Sequence, residues 1–256
     1  MIKKMYRNIA RRATRLKRDW KKPILERRVN VAIVQPVILD VIAHDPEAFT
    51  QGLICQNGYL YESAGLYGHS SLRQMLPDGT IVRRIDLPGV FAEDLAISEN
   101  ELVLLTWREN IAIRYALPSL ERLGFFCYRT EGWGLTHDGN VFFMSNGGGS
   151  LLMRDKHFKI IRKIPVKLDG RPVNGLNALE YVSGKIYANT WRSDFILEID
   201  SHSGKVQKIA DCSALVDIEK PRVPDDMLNG TAYCGDGDFF YLTGKRWKHI
   251  FRVKIS

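Results

Sequence analysis

The sequence predicts an all-β fold, a five-bladed β-propeller with a basic N-terminal extension, on three observations. A segment plan recurs along the chain, glycine-bearing turns separate alternating apolar runs, and strand-like stretches stand near both ends of the repeated part. In each of five segments a polar or aromatic residue opens a short apolar strand, a Gly/Asn/Asp turn follows, and a second β-rich strand closes the unit. The segments open at Gln51, Glu93, Trp133, Asn177 and Asn229, which lie 42, 40, 44 and 52 positions apart. Several strands per unit at a period of about 40–50 residues is the mark of propeller blades. An open β-sandwich is the alternative architecture, and the regular period argues against it.

Residues 1–30 form a basic arm with twelve Lys/Arg against Asp19 and Glu26. The rest of the chain holds 25 basic and 27 acidic groups, so the net charge of +8 belongs to the arm and gives no reason to expect a nucleic-acid partner. Within the arm Ile2, Met5, Ile9, Ala13, Leu16 and Trp20 recur at helical spacing opposite a cationic face. That pattern fits membrane-surface contact through residues 1–22 or an organelle-type presequence, with a solvated arm as the plain alternative. No uninterrupted apolar run of secretory-signal length occurs, and none approaches the ~20 residues that span a bilayer.

Residues 31–256 are predicted to form a single propeller domain. The apolar run 31–42 and the terminal stretch IFRVKI (250–255) are expected to pair, so that the first strand completes the last blade and closes the ring. Asn57-Gly58, Asp138-Gly139 and Ser183-Gly184 are hairpin signals, because glycine supplies the positive φ that tight turns between twisted strands require. Helical periodicity is absent beyond the arm. Cys55, Cys127, Cys212 and Cys234 are far apart and each is expected to be a small buried hydrophobe. A disulfide stays open, and its pairing is not given by sequence.

Equivalent positions of successive blades lie around one axis. Gln51, Glu93, Trp133, Asn177 and Asn229, with the unit ends Glu62, Trp107, Asn146, Trp191 and Lys245, are therefore expected at one mouth of the channel. Polar groups mixed with tryptophans at a concave mouth make up a small-ligand pocket. The six histidines lack metal-binding spacing. His44-Asp45-Pro46 reads as the turn entering the first blade, and Gly147-Gly148-Gly149 as an inter-strand loop, not a phosphate cradle.

HDPEAFTQGL (44–53), ESAGLYGHSSLR (62–73), LTW (105–107), EGWGLT (131–136), NALEYVSGKIYANTW (177–191) and LTGKRW (242–247) stand in order. Together they resemble, over about residues 40–256, the plant and bacterial type of glutaminyl-peptide cyclotransferase. The resemblance implies a five-bladed propeller, working without metal or cofactor, that converts the N-terminal glutamine of peptides to pyroglutamate and releases ammonia. By motif, the acid/base glutamate falls on Glu93, the pocket aromatics on Phe49, Trp107, Trp133 and Trp191, and the polar contacts on Gln51, Asn177 and Lys245. Relatives of this kind are commonly exported, whereas this N-terminus shows no cleavable apolar core, so location stays open; a monomer is expected. Ala92 and Asp94 stand where relatives usually carry glycine, and Ala178 where they usually carry glutamate. If either glycine serves a positive φ, its replacement strains the backbone at Glu93.

The residue types suit the chemistry. A peptide α-amine is largely protonated near neutrality, its pKa being about 7.7–8.0. One group must take a proton from the ammonium and give one to the departing amide nitrogen, and a carboxylate such as Glu93 does both in turn. The indoles would fold the glutamine side chain, Gln51 and Asn177 would bind its amide, and Lys245 would stabilise the oxyanion or orient Glu93. Two rival functions remain: a non-catalytic peptide-binding propeller, and a metal-dependent lactonase-like hydrolase built on Glu62, Glu93, Asn177 and Asn229.

Overall fold

The computed structural model describes residues 29–255. The apolar stripe of the arm and the lipid contact expected of residues 1–22 lie outside the described residues. Val31–Ser256 forms one compact unit. No helix among the described residues is long and apolar enough to cross a membrane.

Five antiparallel sheets carry the fold. Their strands follow in sequence as Thr50–Gln56, Tyr59–Ala64, Ser71–Met75, Ile81–Asp86; Ala92–Ser98, Glu101–Thr106, Ile111–Ala116, Arg122–Cys127; Leu135–His137, Phe142–Met144, Ser150–Arg154, Ile160–Pro165; Leu176–Val182, Lys185–Thr190, Phe195–Asp200, Val206–Asp211; and Leu228–Cys234, Phe239–Gly244, His249–Lys254. The first strand of each sheet touches the first strand of the next, and the fifth touches the first, so these five line the axis of a propeller. The turn signals act as expected: Asn57 and Gly58 have φ of 51° and 76°, and Ser183 and Gly184 of 47° and 85°. Both central residues in the left-handed region match the right-handed twist of the strands they join. Apolar residues of adjacent blades pack face to face, as where Tyr61 and Leu72 meet Leu95, Leu102 and Leu104.

The ring closes where the sequence predicts. Val37–Ala43 pairs antiparallel with His249–Lys254 as the outer strand of the fifth blade. An addition not legible in the sequence precedes it: Ala32–Val34 pairs in parallel with Val206–Asp211, giving the fourth blade a fifth strand. A disulfide between Cys55 and Cys234 ties the innermost strands of the first and fifth blades. The expectation of four buried hydrophobic cysteines is thus corrected, since two are bonded, Cys127 is exposed and only Cys212 is a buried free thiol. The expected absence of helix is corrected as well. Ser213–Glu219 is helical, and it lies in the long connection that stretches the last repeat interval to 52 residues. Seven residues are too few for a helical period to stand out.

A buried polar network strengthens the same joint. His44 holds the Trp247 carbonyl oxygen through Nδ1 (2.8 Å) and Glu62 Oε1 through Nε2 (2.8 Å). The carbonyl only accepts, and so does Glu62 as a carboxylate, an arrangement that favours the imidazolium form of the ring. Burial lowers the His44 pKa, but the Glu62 carboxylate outweighs it and the net shift is upward. Burial likewise raises Glu62, yet His44 and Arg73 bring its pKa below the usual carboxylate range. Glu62 is fully buried, with Thr50 and Arg73 as further donors. It therefore belongs to the blade joint and not to the channel mouth where the repeat placed it.

Replacing Cys55 and Cys234 by serine should destabilise the folded chain by roughly 2–5 kcal/mol, because the bond cross-links residues 179 apart and its loss frees the unfolded chain. Chemical denaturation monitored by tryptophan fluorescence measures this. Breaking the buried pair by Glu62→Gln should cost about 3–5 kcal/mol. In the unsubstituted protein the His44 contribution is complete below its ordinary pKa of 6.5 and is lost as pH rises through its higher folded value. Without Glu62 burial dominates and the folded pKa falls below 6.5, so the His44 contribution to the pH dependence of stability should change sign.

Candidate active site

Four of the five axial strands are irregular at one place. The pairing register breaks at Gln51 in the first blade, at Glu93-Asp94 in the second, at Asn177-Ala178 in the fourth and at Asn229-Gly230 in the fifth. Bulges of this kind bend a strand and re-aim a side chain. Here they occur at the second residue of each strand, at the positions that open the sequence units. The propeller thus turns equivalent side chains of several blades towards a common mouth.

Glu93 is held rigidly. Its carbonyl oxygen accepts the Ser63 hydroxyl of the first blade (2.6 Å), and the next amide, of Asp94, donates to the Trp133 carbonyl of the third (3.3 Å). The Asp94 carboxylate reaches across the axis: Oδ2 accepts the amides of Leu135 (2.8 Å) and Leu179 (2.9 Å), and Oδ1 that of Leu95 (2.9 Å). Asp94 therefore joins the second, third and fourth blades. Gly52 of the first makes room for it, since a Cβ there would lie 2.1 Å from Asp94 Oδ1. Neither Ala92 nor Asp94 nor Ala178 has a positive φ, so the strain considered for those replacements is absent.

Burial pushes the Glu93 pKa well above the ordinary carboxylate value. Lys245 opposes that shift, while Asp94, Glu131 and Glu109 add to it. Lys245 is itself buried, and burial lowers its pKa to about 8 against the pull of Glu93 and Asp225. An acid raised and an amine lowered approach each other in proton affinity, the condition for easy proton exchange near neutral pH.

Aromatic rings form a continuous wall. Phe91 touches Phe49 (centroids 6.3 Å apart), Tyr67 (5.5 Å) and Trp107 (5.4 Å), and Trp133 meets Trp191 edge-on at 6.1 Å. The indole nitrogens of Trp107 and Trp133 both donate to Glu131 Oε2, at 3.0 and 3.2 Å. Gly147, at φ 75°, backs Trp133, and a Cβ there would lie 2.8 Å from the ring, which explains a glycine in that loop. Lys245 Nζ stands 4.8 Å from the Phe49 centroid, linking this wall to the charged pair.

The polar floor is made of amides. Asn229 Nδ2 donates to Gln51 Oε1 (2.9 Å) and to the carbonyls of Thr50 and Gln51 (3.2 Å each). The end of Gln51 presented to a ligand is therefore its NH2. Asn177 Oδ1, Asn189 Nδ2 and Asn229 Oδ1 are buried with no hydrogen-bond partner. Orphaned buried groups of this kind are costly and call for a specific reason.

The structure thus brings Glu93, Lys245, Phe49, Trp107, Trp133 and Trp191 into one linked set, with Gln51 and Asn177 at equivalent positions of the first and fourth axial strands. Asn229 serves inside, orienting Gln51. Asn146 accepts the Gly148 amide in its own loop (3.2 Å). The four-residue cluster considered for a metal hydrolase is not assembled, because Glu62 gives its oxygens to His44, Thr50 and Arg73. Sequence reasoning missed Phe91, Tyr67, Asn189 and Glu131. A signal existed for two of them, since Phe91 and Glu131 stand two residues before Glu93 and Trp133, and alternate residues of an extended chain share a face.

Fold and site together define a five-bladed propeller whose axial strands carry a buried carboxylate, a buried lysine and buried amides beside a set of aromatic rings. The family model for glutamine cyclotransferase matches residues 12–255, and the chain belongs to that family. It is 35% identical over 229 residues to a glutaminyl-peptide cyclotransferase of Arabidopsis thaliana, covering 85% of this chain and 71% of the relative. Among solved structures it is similar to the glutaminyl cyclase of Myxococcus xanthus, with a TM-score of 0.83 and 34% identity over 88% of this chain and 98% of that one.

Proposed function

We propose that this chain is a glutaminyl-peptide cyclotransferase that closes the N-terminal glutamine of a peptide into pyroglutamate, with Glu93 as the proton carrier and no metal in the step. The observation that carries the reading is a buried carboxylate of raised pKa, facing a lysine, within a pocket of indoles and unpaired amide atoms. In the reaction the α-nitrogen forms a bond to the side-chain amide carbon and the bond from that carbon to the amide nitrogen breaks. The attacking nitrogen sheds two protons on its way from ammonium to lactam: Glu93 takes one and gives it to the departing nitrogen, which leaves as ammonia, and the other passes to solvent or leaves on the ammonia as ammonium. The raised pKa suits both halves, since a carboxylate of ordinary acidity would be a poor base for the amine and a poor acid store at neutral pH.

Substrate recognition follows from the amide inventory. The Gln51 NH2 donates to the carbonyl oxygen of the substrate amide, and Asn177 Oδ1 accepts from its NH2, which relieves an orphaned acceptor. A site built this way rejects residues that lack the amide. Lys245 lies on the Phe49 side of the pocket and, when protonated, stabilises the oxyanion of the tetrahedral intermediate.

Glu93→Gln should lower ammonia release from a Gln-initiated dipeptide by roughly 10²–10⁴-fold while thermal unfolding stays within a few degrees of the parent. Near-normal turnover in that variant would remove Glu93 from the mechanism. A parent protein that binds the peptide but releases no ammonia would instead be a peptide-binding propeller. Gln51→Met should reduce kcat/KM by up to about tenfold, the worth of one neutral hydrogen bond, chiefly through KM. Steady-state assays with graded peptide concentrations separate the two constants.

A further inference from the structure

Glu131 has no part in the proton path above, yet it joins two indoles of the wall that have no ring contact with each other in the set described. Its Oε2 accepts the N–H groups of Trp107, from the second blade, and Trp133, at the entry to the third. Its Oε1 accepts Arg108 Nε at 3.1 Å, and the Arg108 guanidinium lies 3.7 Å from the Trp107 centroid. Resting on the cyclisation reading, we infer that Glu131 is a positioning residue: one carboxylate fixes the rotamers and the spacing of the two indoles that hold the substrate glutamine folded, and places a fixed negative charge beside Glu93.

The geometric argument is one of alternatives. An indole side chain that turns about its Cβ–Cγ bond carries its N–H to the opposite side, and a single acceptor shared by two rings selects one orientation of each. Trp133 has little freedom otherwise, with Gly147 against its face and Trp191 against its edge. Trp107 has the Arg108 guanidinium over its ring and Phe91 tilted against it. An N–H bonded to a carboxylate also enriches the π face of its ring, which strengthens attraction for the substrate ammonium.

The electrostatic argument is independent of the first. The charged groups acting on Glu93 are Lys245, which lowers its pKa, and Asp94, Glu131 and Glu109, which raise it. Tyr67 and Tyr128 are the titratable neutral groups that sense Glu93, and both have pKa values raised above the ordinary phenol value of 10, so both stay protonated at neutral pH. Neutralising Glu131 therefore moves the Glu93 pKa down, and with it the acidic limb of the rate profile.

The test compares Glu131→Gln and Glu131→Asp in the full chain. Glu131→Gln should lower kcat/KM roughly ten- to a hundredfold through misplacement of the slot, shift the acidic limb of kcat/KM to lower pH, and alter the near-UV circular dichroism of the tryptophans at unchanged far-UV signal. Glu131→Asp keeps the charge but withdraws it, so the acidic limb should stay in place while KM rises. An unchanged near-UV spectrum in Glu131→Gln overturns the inference whether or not the parent turns over peptide. Equal losses in both variants with an unmoved acidic limb also overturn it, by reducing Glu131 to a structural part. Failure of the parent to release ammonia sinks the cyclisation reading alone, because the spectra still report on the indole pair.

Discussion

The axis of this propeller depends on one carboxylate. Asp94 takes three backbone amides, two of them from blades other than its own, and Gly52 of a fourth blade packs against it. Each of those amides is buried, and leaving one without an acceptor would cost about 1–3 kcal/mol. Burial drives the Asp94 pKa up to about 8 against the pull of the three N–H donors. The residue before it is Glu93, so the group that binds the inner strands together also fixes the backbone of the proposed proton carrier, whose proton affinity burial raises and Asp94 raises further. Asp94 is thus a structural hub, and the bulged backbone there takes it without left-handed strain.

A pocket assembled from equivalent positions of every blade is only as fixed as the closure of the ring. Closure here is redundant. The outer strand Val37–Ala43, the Cys55–Cys234 bond and the His44–Glu62 pair all act at the seam between the fifth and first blades. Gln51 lies on one side of that seam and Lys245 on the other. Asn229 crosses it to hold Gln51 from the fifth blade. An opened seam would separate the amide donor of the pocket from its lysine, so the same bonds that stabilise the fold keep the site together.

The repeat and the ring closure were legible because they rest on local chemistry: glycine turns, alternating strands and a constant period. Pairing Cys55 with Cys234 was not, since the register that brings them together belongs to two strands 179 residues apart in sequence. The short parallel strand Ala32–Val34 gives no signal of its own, and neither does a seven-residue helix. Glu62 and Asn229 were drawn to the mouth by their place in the repeat, but blade equivalence fixes a Cα position and not the direction of a side chain. The four bulges decide that direction, and a bulge has no mark in these sequences beyond Gly52 and Gly230. Glu131 went unread for a different reason: its importance lies in two indole nitrogens brought together from separate blades.

The charges around the pocket explain how a cationic substrate could enter and a neutral product leave. Arg108, Arg192 and Arg246 lie over Trp107, Trp191 and Phe49, but each is bonded to a carboxylate, of Glu131, Asp225 and Asp226 respectively. Their charge is therefore largely compensated, and they act as caps that hold the rings. Inside the rim Glu93 acts on Lys245, whose pKa of about 8 leaves part of it neutral near physiological pH. The ring faces thus favour an incoming ammonium. On the proposed reaction the ammonium is consumed as the lactam forms, and the product carries no charge at that end. The attraction that draws the peptide in is then absent from the product, and release needs no movement of the walls.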